Sequence, residues 1–230
     1  MLTVTSDTTA PVVTMSELAF ADTGAIGADS TNLAVGWIAV DDVGVTGVHL
    51  QRRVDLGSWK DVALSGPDAV SATSAAAYGR RVQFHVRATD LAGNTSAGTL
   101  GEPVRVLLFN ETHKRVRTTG AWSRKFTGSA IAGQYLRSRI SGASLSITAT
   151  ALQMAVVGNR GQVQGRADIY LNNNPASSIS LQAGSTEFRR LLYLSPLLAD
   201  PASTAIRIVN ASTGTQQIVD VDAFLALVPD

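Results

Sequence analysis

The fold of this chain is decided by residues 81–96, which read R-V-Q-F-H-V-R-A-T-D-L-A-G-N-T-S. Its first eight residues alternate between polar side chains and the apolar side chains of Val82, Phe84, Val86 and Ala88. This period of two predicts a half-buried β-strand. A Gly-Asn turn follows, in which Gly93 can adopt a positive φ without steric cost. The stretch therefore predicts antiparallel β-structure.

The surrounding residues repeat the same pattern. Leu33, Val35, Trp37 and Ala39 share one face of an earlier strand, and Trp37 is expected to be the central aromatic residue of the core. Asp55-Leu56-Gly57-Ser58 predicts a hairpin turn, and residues 104–109 predict the last strand of this half. A total of about seven strands at this spacing fits an antiparallel β-sandwich.

Four motifs resemble bacterial fibronectin type III or immunoglobulin-like repeats. They are D-T-T-A-P (7–11), W-I-A-V-D-D-V-G-V (37–45), the hairpin L-Q-R-R…G-S-W-K-D-V (50–62) and F-H-V-R-A-T-D-L-A-G-N-T-S (84–96). The resemblance covers residues 8–109. It implies a module that presents, spaces or binds rather than one that catalyses.

The second half is predicted to be a separate β-sandwich. Glu111-Thr112-His113-Lys114 is polar, so we divide the chain into domains 1–110 and 111–230 near Thr112. Short alternating segments follow, such as residues 143–149, 167–171 and 219–225, together with the continuous apolar run of residues 152–157. Roughly eight or nine strands and no helix are expected, so the class is all-β, with a jelly-roll topology in this half.

Three motifs in this half resemble a galactose-binding-like jelly-roll domain. They are G-A-W-S (120–123), G-N-R-G-Q-V-Q-G-R-A-D-I-Y-L (158–171) and V-D-V-D-A-F (219–224). The match covers residues 112–228 and implies a tendency to bind glycans. Asn172-Asn173-Asn174 stands where the related pattern has an Asp-Gly turn, but asparagine tolerates the left-handed conformation that such a hairpin needs.

Charge is unevenly divided along the chain. Residues 1–110 hold 7 basic and 11 acidic residues, a net −4, whereas residues 111–230 hold 12 and 7, a net +5. Scattered, solvated charge is the favoured interpretation, since no run of like charge exceeds two or three residues. The alternatives are that the basic half faces an anionic polymer or an acidic neighbour, or that it docks on the first half. Stacking aromatics do not interleave the arginines, so no nucleic acid is expected. No apolar run is long enough for membrane insertion.

The sequence argues against catalysis. It contains no cysteine, and its three histidines, His49, His85 and His113, are isolated from one another and from any hydrolase motif. We therefore predict no enzyme activity, no catalytic residue and no cofactor. Asp41-Asp42 and Asp90 with Asn94 offer oxygen atoms in loops, but a turn-stabilising role is preferred to a calcium site, and no metal site is predicted.

Five residues are predicted to bind a glycan: Trp122, Asp168, Tyr170, Asp220 and Asp222. The two members of each predicted pair, Asp168 with Tyr170 and Asp220 with Asp222, lie two residues apart and so share a strand face. Carboxylates would bind sugar hydroxyls while a ring stacks on the sugar. The favoured alternative is that Asp220 and Asp222 pair with Arg160 or Arg166, and for Trp122 core packing is an equal alternative.

These patterns predict a non-catalytic attachment or decoration protein at an extracellular surface. Residues 1–7 contain no secretory signal. If Met1 is the natural start, this favours a phage virion protein that binds host cell-surface or cell-wall glycan and other virion or surface proteins, as a homo-oligomer. The alternative is a pair of C-terminal carbohydrate-binding or adhesion modules from a secreted bacterial hydrolase or adhesin, on a bacterial cell surface. A purely structural role, without a ligand, is the third reading.

Overall fold

The computed structural model describes residues 7–21, 24–214 and 217–230. Within these ranges the chain forms strands, one short 3-10 turn at Ile131–Gly133 and no α-helix. The strands are β1 (Val12–Met15), β2 (Ala19–Phe20), β3 (Ser30–Val40), β4 (Val45–Val54), β5 (Lys60–Asp61), β6 (Ser71–Ala77), β7 (Arg81–Asp90), β8 (Thr99–Leu100), β9 (Val104–Asn110), β10 (Arg117–Thr119), β11 (Ser123–Phe126), β12 (Gln134–Ser138), β13 (Ser144–Ala151), β14 (Gln153–Arg160), β15 (Arg166–Leu171), β16 (Asn174–Ser180), β17 (Glu187–Leu194), β18 (Ala202–Asn210) and β19 (Val219–Pro229). The predicted all-β class is confirmed.

The first half is a two-sheet sandwich. Strands β1, β3, β2 and β6 form one sheet, which faces β4, β5, β7, β8 and β9. The alternating residues of β3 and β7 meet in the core, where Trp37, Phe84 and Val86 are fully or almost fully buried. The turn after β7 places Gly93 at a φ of 92°, as its sequence predicts.

The second half is a sandwich of two five-stranded layers. One sheet has the order β10-β13-β18-β15-β16, and the facing layer consists of β11, β12, β19, β14 and β17. Antiparallel pairing of strands that are distant in sequence agrees with the expected jelly-roll topology. The β15–β16 hairpin turns through Asn172 and Asn173, both at positive φ, so the asparagines do replace the glycine of the related pattern.

One sheet runs through both halves. All seven residues of β9 pair with β19, from Val104 opposite Pro229 to Asn110 opposite Ala223. The facing layer of the second half is therefore continuous with β4, β5, β7 and β8 in a ten-stranded sheet. The two sandwiches therefore share one sheet, and the division into domains 1–110 and 111–230 stays a proposal about folding units.

The ten-stranded sheet is the middle layer of three. Alternate residues of β19 enter different cores: Ala223, Leu225 and Leu227 pack with the first half, whereas Phe224 and Ala226 pack with the second. Strand β14 divides in the same way, with Ala155 in the first cluster and Val156 in the second. Both strands are consequently covered on both faces, which is why each contains a continuous apolar run, residues 154–157 in β14 and 223–228 in β19.

Candidate functional site

The predicted site residues lie in three separate places. Asp168 and Tyr170 point outward from β15 in the five-stranded sheet, whereas Asp220 and Asp222 lie on β19 in the ten-stranded sheet. Trp122 precedes β11 at one edge of the sandwich. The structure brings Asp168 and Tyr170 to one surface and does not bring Asp220, Asp222 or Trp122 to it.

Asp220 is a structural ion-pair partner. Its side chain is buried and accepts two hydrogen bonds from Arg137, 2.7 Å from Nε to Oδ1 and 2.8 Å from Nη2 to Oδ2. Gln164 Nε2 donates a third at 3.1 Å. Asp220 does pair with an arginine, as the alternative prediction states, but that arginine is Arg137 and not Arg160 or Arg166. A carboxylate with these partners has no exposed oxygen for a sugar.

Asp222 is buried as well, at the point where the pairing of β19 with β14 skips one residue. Both of its carboxyl oxygens accept the backbone N–H of Ile131 at 3.1 Å. Burial, together with the nearby Glu111, raises the pKa of Asp222 to about 7. Glu111 is 6% exposed, both of its carboxyl oxygens lack a hydrogen-bond partner among the described residues, and burial raises its pKa as well. Asp222 therefore belongs to a buried acidic pair and not to a sugar-binding face.

Trp122 is half-buried and packs against the second core cluster. Its Nε1 donates a hydrogen bond of 3.1 Å to the carbonyl of Thr119, which ties the segment between β10 and β11 together. The core-packing alternative therefore describes Trp122 better than an exposed sugar platform.

The outward side of the five-stranded sheet carries one row of polar side chains in register. Arg117 on β10 is opposite Ser146 on β13, Ser146 is opposite Arg207 on β18, and Arg207 is opposite Tyr170 on β15. Side chains opposite one another on neighbouring strands lie within about 5.5 Å at their Cβ atoms. We call Arg117, Ser146, Arg207 and Tyr170 the outer row.

Two members of the outer row, Arg207 and Tyr170, are in direct contact. The Arg207 guanidinium lies 4.0 Å from the centre of the Tyr170 ring, a cation–π arrangement. Asp168, on the same face, accepts a hydrogen bond from the Ser178 hydroxyl and lies 3.7 Å from Arg166 Nε. The nearest carboxylate on this face is thus already engaged, whereas Arg207 forms no ion pair with any residue that the structure describes.

A shallow cavity of about 290 Å³ opens at the other end of the outer row. Arg115, Arg117, Ser146 and Thr148 line it together with Ile147. Two guanidinium groups and two hydroxyls provide hydrogen-bond donors, and the lining contains no carboxylate. Such a donor set favours an anionic group.

The histidines of the described chain have ordinary partners. His49 Nε2 lies 2.8 Å from Asp61, His85 stacks on Trp59 at 5.5 Å and His113 contacts the Phe109 ring at 4.9 Å. Burial lowers the pKa of His85 and His113 and so favours their neutral forms. None of these contacts supplies a nucleophile with a base.

Three carboxylates converge where the first strand begins. Oxygen atoms of Asp7, Asp41 and Asp90 lie within 4.8 Å of one another, and Asp41 Oδ2 is buried without a partner in the described chain. The other Asp41 oxygen accepts the backbone N–H groups of Val43 and Gly44, and Asp90 accepts that of Asn94. Three carboxylates can contribute to a calcium site but supply fewer than the six to eight oxygens that the ion takes.

The sequence patterns missed Arg137 and Glu111 because both residues act through long-range contacts. One signal was available: the apolar run A-F-L-A-L-V after Asp222 is typical of a strand that is buried on both faces. An aspartate on such a strand must be paired or neutral.

No protein-family model matches the chain, and no curated protein matches it. Among solved structures, a family two carbohydrate esterase from Cellvibrio japonicus is 15% identical, with a TM-score of 0.42, over 54% of this chain and 34% of that one. A family 35 carbohydrate-binding module from Clostridium thermocellum is 15% identical, with a TM-score of 0.37, over 52% of this chain and 97% of that one. A family 35 module from an environmental isolate is 14% identical, with a TM-score of 0.38, over 54% and 96%. Likeness at this level establishes neither a ligand nor an activity.

Proposed function

We propose that the protein is a non-catalytic extracellular module that binds a cell-envelope glycan through the outer row. The observation that carries the proposal is the register of Arg117, Ser146, Arg207 and Tyr170 on one outward sheet face. A row of cross-strand neighbours gives an extended sugar chain several contacts in line. Asp168 and Tyr170 remain in this site, while Trp122, Asp220 and Asp222 do not.

The chemistry of the outer row suits an acidic glycan. Guanidinium groups bind carboxylate or phosphate oxygens through paired hydrogen bonds, and Ser146 can bind a hydroxyl. The Tyr170 ring, held beneath Arg207, adds an apolar surface beside these charges. The cavity formed by Arg115 and Arg117 extends the same donor set along the sheet.

Both settings predicted from the sequence, a phage virion and a secreted bacterial hydrolase or adhesin, make use of such a module. Several weak sites acting together exceed the affinity of one by orders of magnitude, so the virion setting adds a homo-oligomer or many copies on a particle. Capsid or tail genes beside this gene would support the virion setting. A hydrolase gene in the same position would support the alternative.

The experiment measures retention of the purified protein on isolated bacterial cell walls. Tyr170→Ala and Arg207→Gln are each expected to lower retention about tenfold because both remove the stacked pair at one end of the outer row. Their thermal midpoints should stay close to that of the unchanged protein, since both positions are on the outward face.

The matched control is Arg53→Gln. Arg53 stacks on Trp59 at 4.7 Å in the first half, so this substitution removes the same kind of contact from a different surface. Retention should be unaffected. Unchanged retention of Tyr170→Ala and Arg207→Gln would show that the outer row is not the binding site.

A further inference from the structure

A larger cavity, of about 510 Å³, lies between the two halves. It is formed by β1, by the segment from β8 to β9, by Leu152 before β14 and by residues 197–201. Its walls are mainly aliphatic: Val13, Met15, Leu18, Leu100, Leu152 and Leu197 contribute to them. Ligand cavities in proteins have this size and this apolar character, and they favour the interfaces between domains.

The charged residues of this cavity all have one sign. Glu17, Glu102 and Asp200 line it, each is exposed, and the lining contains no lysine, arginine or histidine. Within the described chain none of these three carboxylates has an ion-pair partner. The cavity also has no aromatic residue, which distinguishes it from a surface that stacks on sugars.

We propose that this cavity binds a small aliphatic amine, with the alkyl chain among the leucines and the ammonium group at the acidic mouth, in the negative potential of Glu17, Glu102 and Asp200. Burial of the ligand's alkyl chain against apolar walls stabilises the complex roughly in proportion to the apolar area that is buried. Carboxylates beside a low-dielectric surface attract a cation more strongly than they would in open solvent. The site is independent of the outer row, which lies on the five-stranded sheet.

The test compares three probes with the same eight-carbon skeleton but different head groups: octylammonium, octanoate and 1-octanol. Binding is followed at pH 7 by the methyl signals of methionine in NMR, because Met15 lines the cavity and Met154 is buried in the other core cluster. Octylammonium should shift the Met15 signal, leave Met154 in place and bind about tenfold more tightly than octanoate. Equal affinities for the three probes, or a shift at Met154, would overturn the proposal.

Substitutions that remove single negative charges test which carboxylates attract the ammonium group. The double substitution Glu17→Gln with Glu102→Gln should weaken octylammonium about tenfold and leave octanol nearly unchanged, since only the charges are removed. Asp42→Asn with Asp68→Asn changes net charge equally at exposed positions elsewhere and should have no effect.

Leu100→Lys, at a site that is 55% exposed, places an ammonium at the mouth and should compete with the probe. If the control pair weakens octylammonium as much as the glutamate pair does, the assignment fails.

Discussion

At the scale of single residues, the most consequential feature is the buried acidic pair of Glu111 and Asp222. Asp222 has no exposed surface, and its neighbours are a backbone N–H and another carboxyl group. Desolvation penalises a charge there, so the neutral form is favoured in the folded protein. The consequence is a stability that depends on pH.

The sign of this dependence follows from the pKa of Asp222, about 7 when folded against 3.8 ordinarily. Between these values the folded protein holds a proton that the unfolded chain has released. The contribution of Asp222 to the free energy of unfolding is therefore fully present below about pH 4 and is lost as the pH rises to about 7. Asp222→Asn keeps an acceptor for Ile131 and cannot ionise, so it should remove most of this fall, which the difference between the two pKa values puts at about 4 kcal/mol.

Denaturant unfolding of both proteins at intervals from pH 4 to pH 8 measures the difference. Glu111→Gln should act in the same direction, because burial also raises the pKa of Glu111. A difference between variant and parent that stays constant over the whole pH range would contradict the assignment.

At the scale of elements, the bulge in β19 opposite β14 has a strict steric requirement. The register shifts between Val157 and Gly158, which brings Gly158 against the backbone of Asp220. A β-carbon at Gly158 would overlap the Asp220 carbonyl oxygen and lie 2.6 Å from Leu192 Cδ1. The bulge therefore depends on the absence of a side chain, as bulges and close backbone approaches often do.

Gly158→Ala is expected to destabilise the protein by about 2 kcal/mol or more, because β19 must move away from two packed cores. Gly47→Ala is the control: Gly47 lies on β4, and an added β-carbon there meets no atom within 4 Å. Its effect should be within about 0.5 kcal/mol, as for surface substitutions generally. Chemical denaturation gives both values, and equal losses would show that the approach at Gly158 is unimportant.

Local patterns predicted the elements well and the site only in part. The alternation in β3 and the turn at Gly93 are confirmed, because each depends on neighbouring residues. Strand β7 is confirmed with its apolar face in the core, but Gln83 and His85 on its other face are buried too, so it is not the half-buried strand that its alternation predicts. The alternation V-D-V-D in β19 predicted a polar face, but β19 is covered on both sides by different layers. A period of two says which residues share a face and does not say what covers that face.

At the scale of the whole molecule, the pairing of β9 with β19 couples the two halves. Removing either half would expose a seven-residue strand edge. Removing the first half would also expose the apolar residues of β14 and β19 that face the first core. Unpaired edges and exposed apolar faces are unfavourable in water. The halves should therefore stabilise each other.

Calorimetry of the full chain is expected to show one unfolding transition. The excised fragment 111–230 should melt about 10 °C or more below it, or aggregate, since it loses the β9 pairing. Two resolved transitions in the full chain, or a fragment that melts with it, would instead support the independent domains proposed from the sequence.

The pairing of β9 with β19 also sets an order in time during synthesis. Strand β9 ends at Asn110, and its partner begins at Val219, so the ribosome must add more than a hundred further residues before the edge of β9 is covered. Throughout that interval the nascent chain presents an open edge that another chain can pair with. A message broken before the codon for Val219 would leave both halves incomplete, and the cell would have to protect or degrade the product.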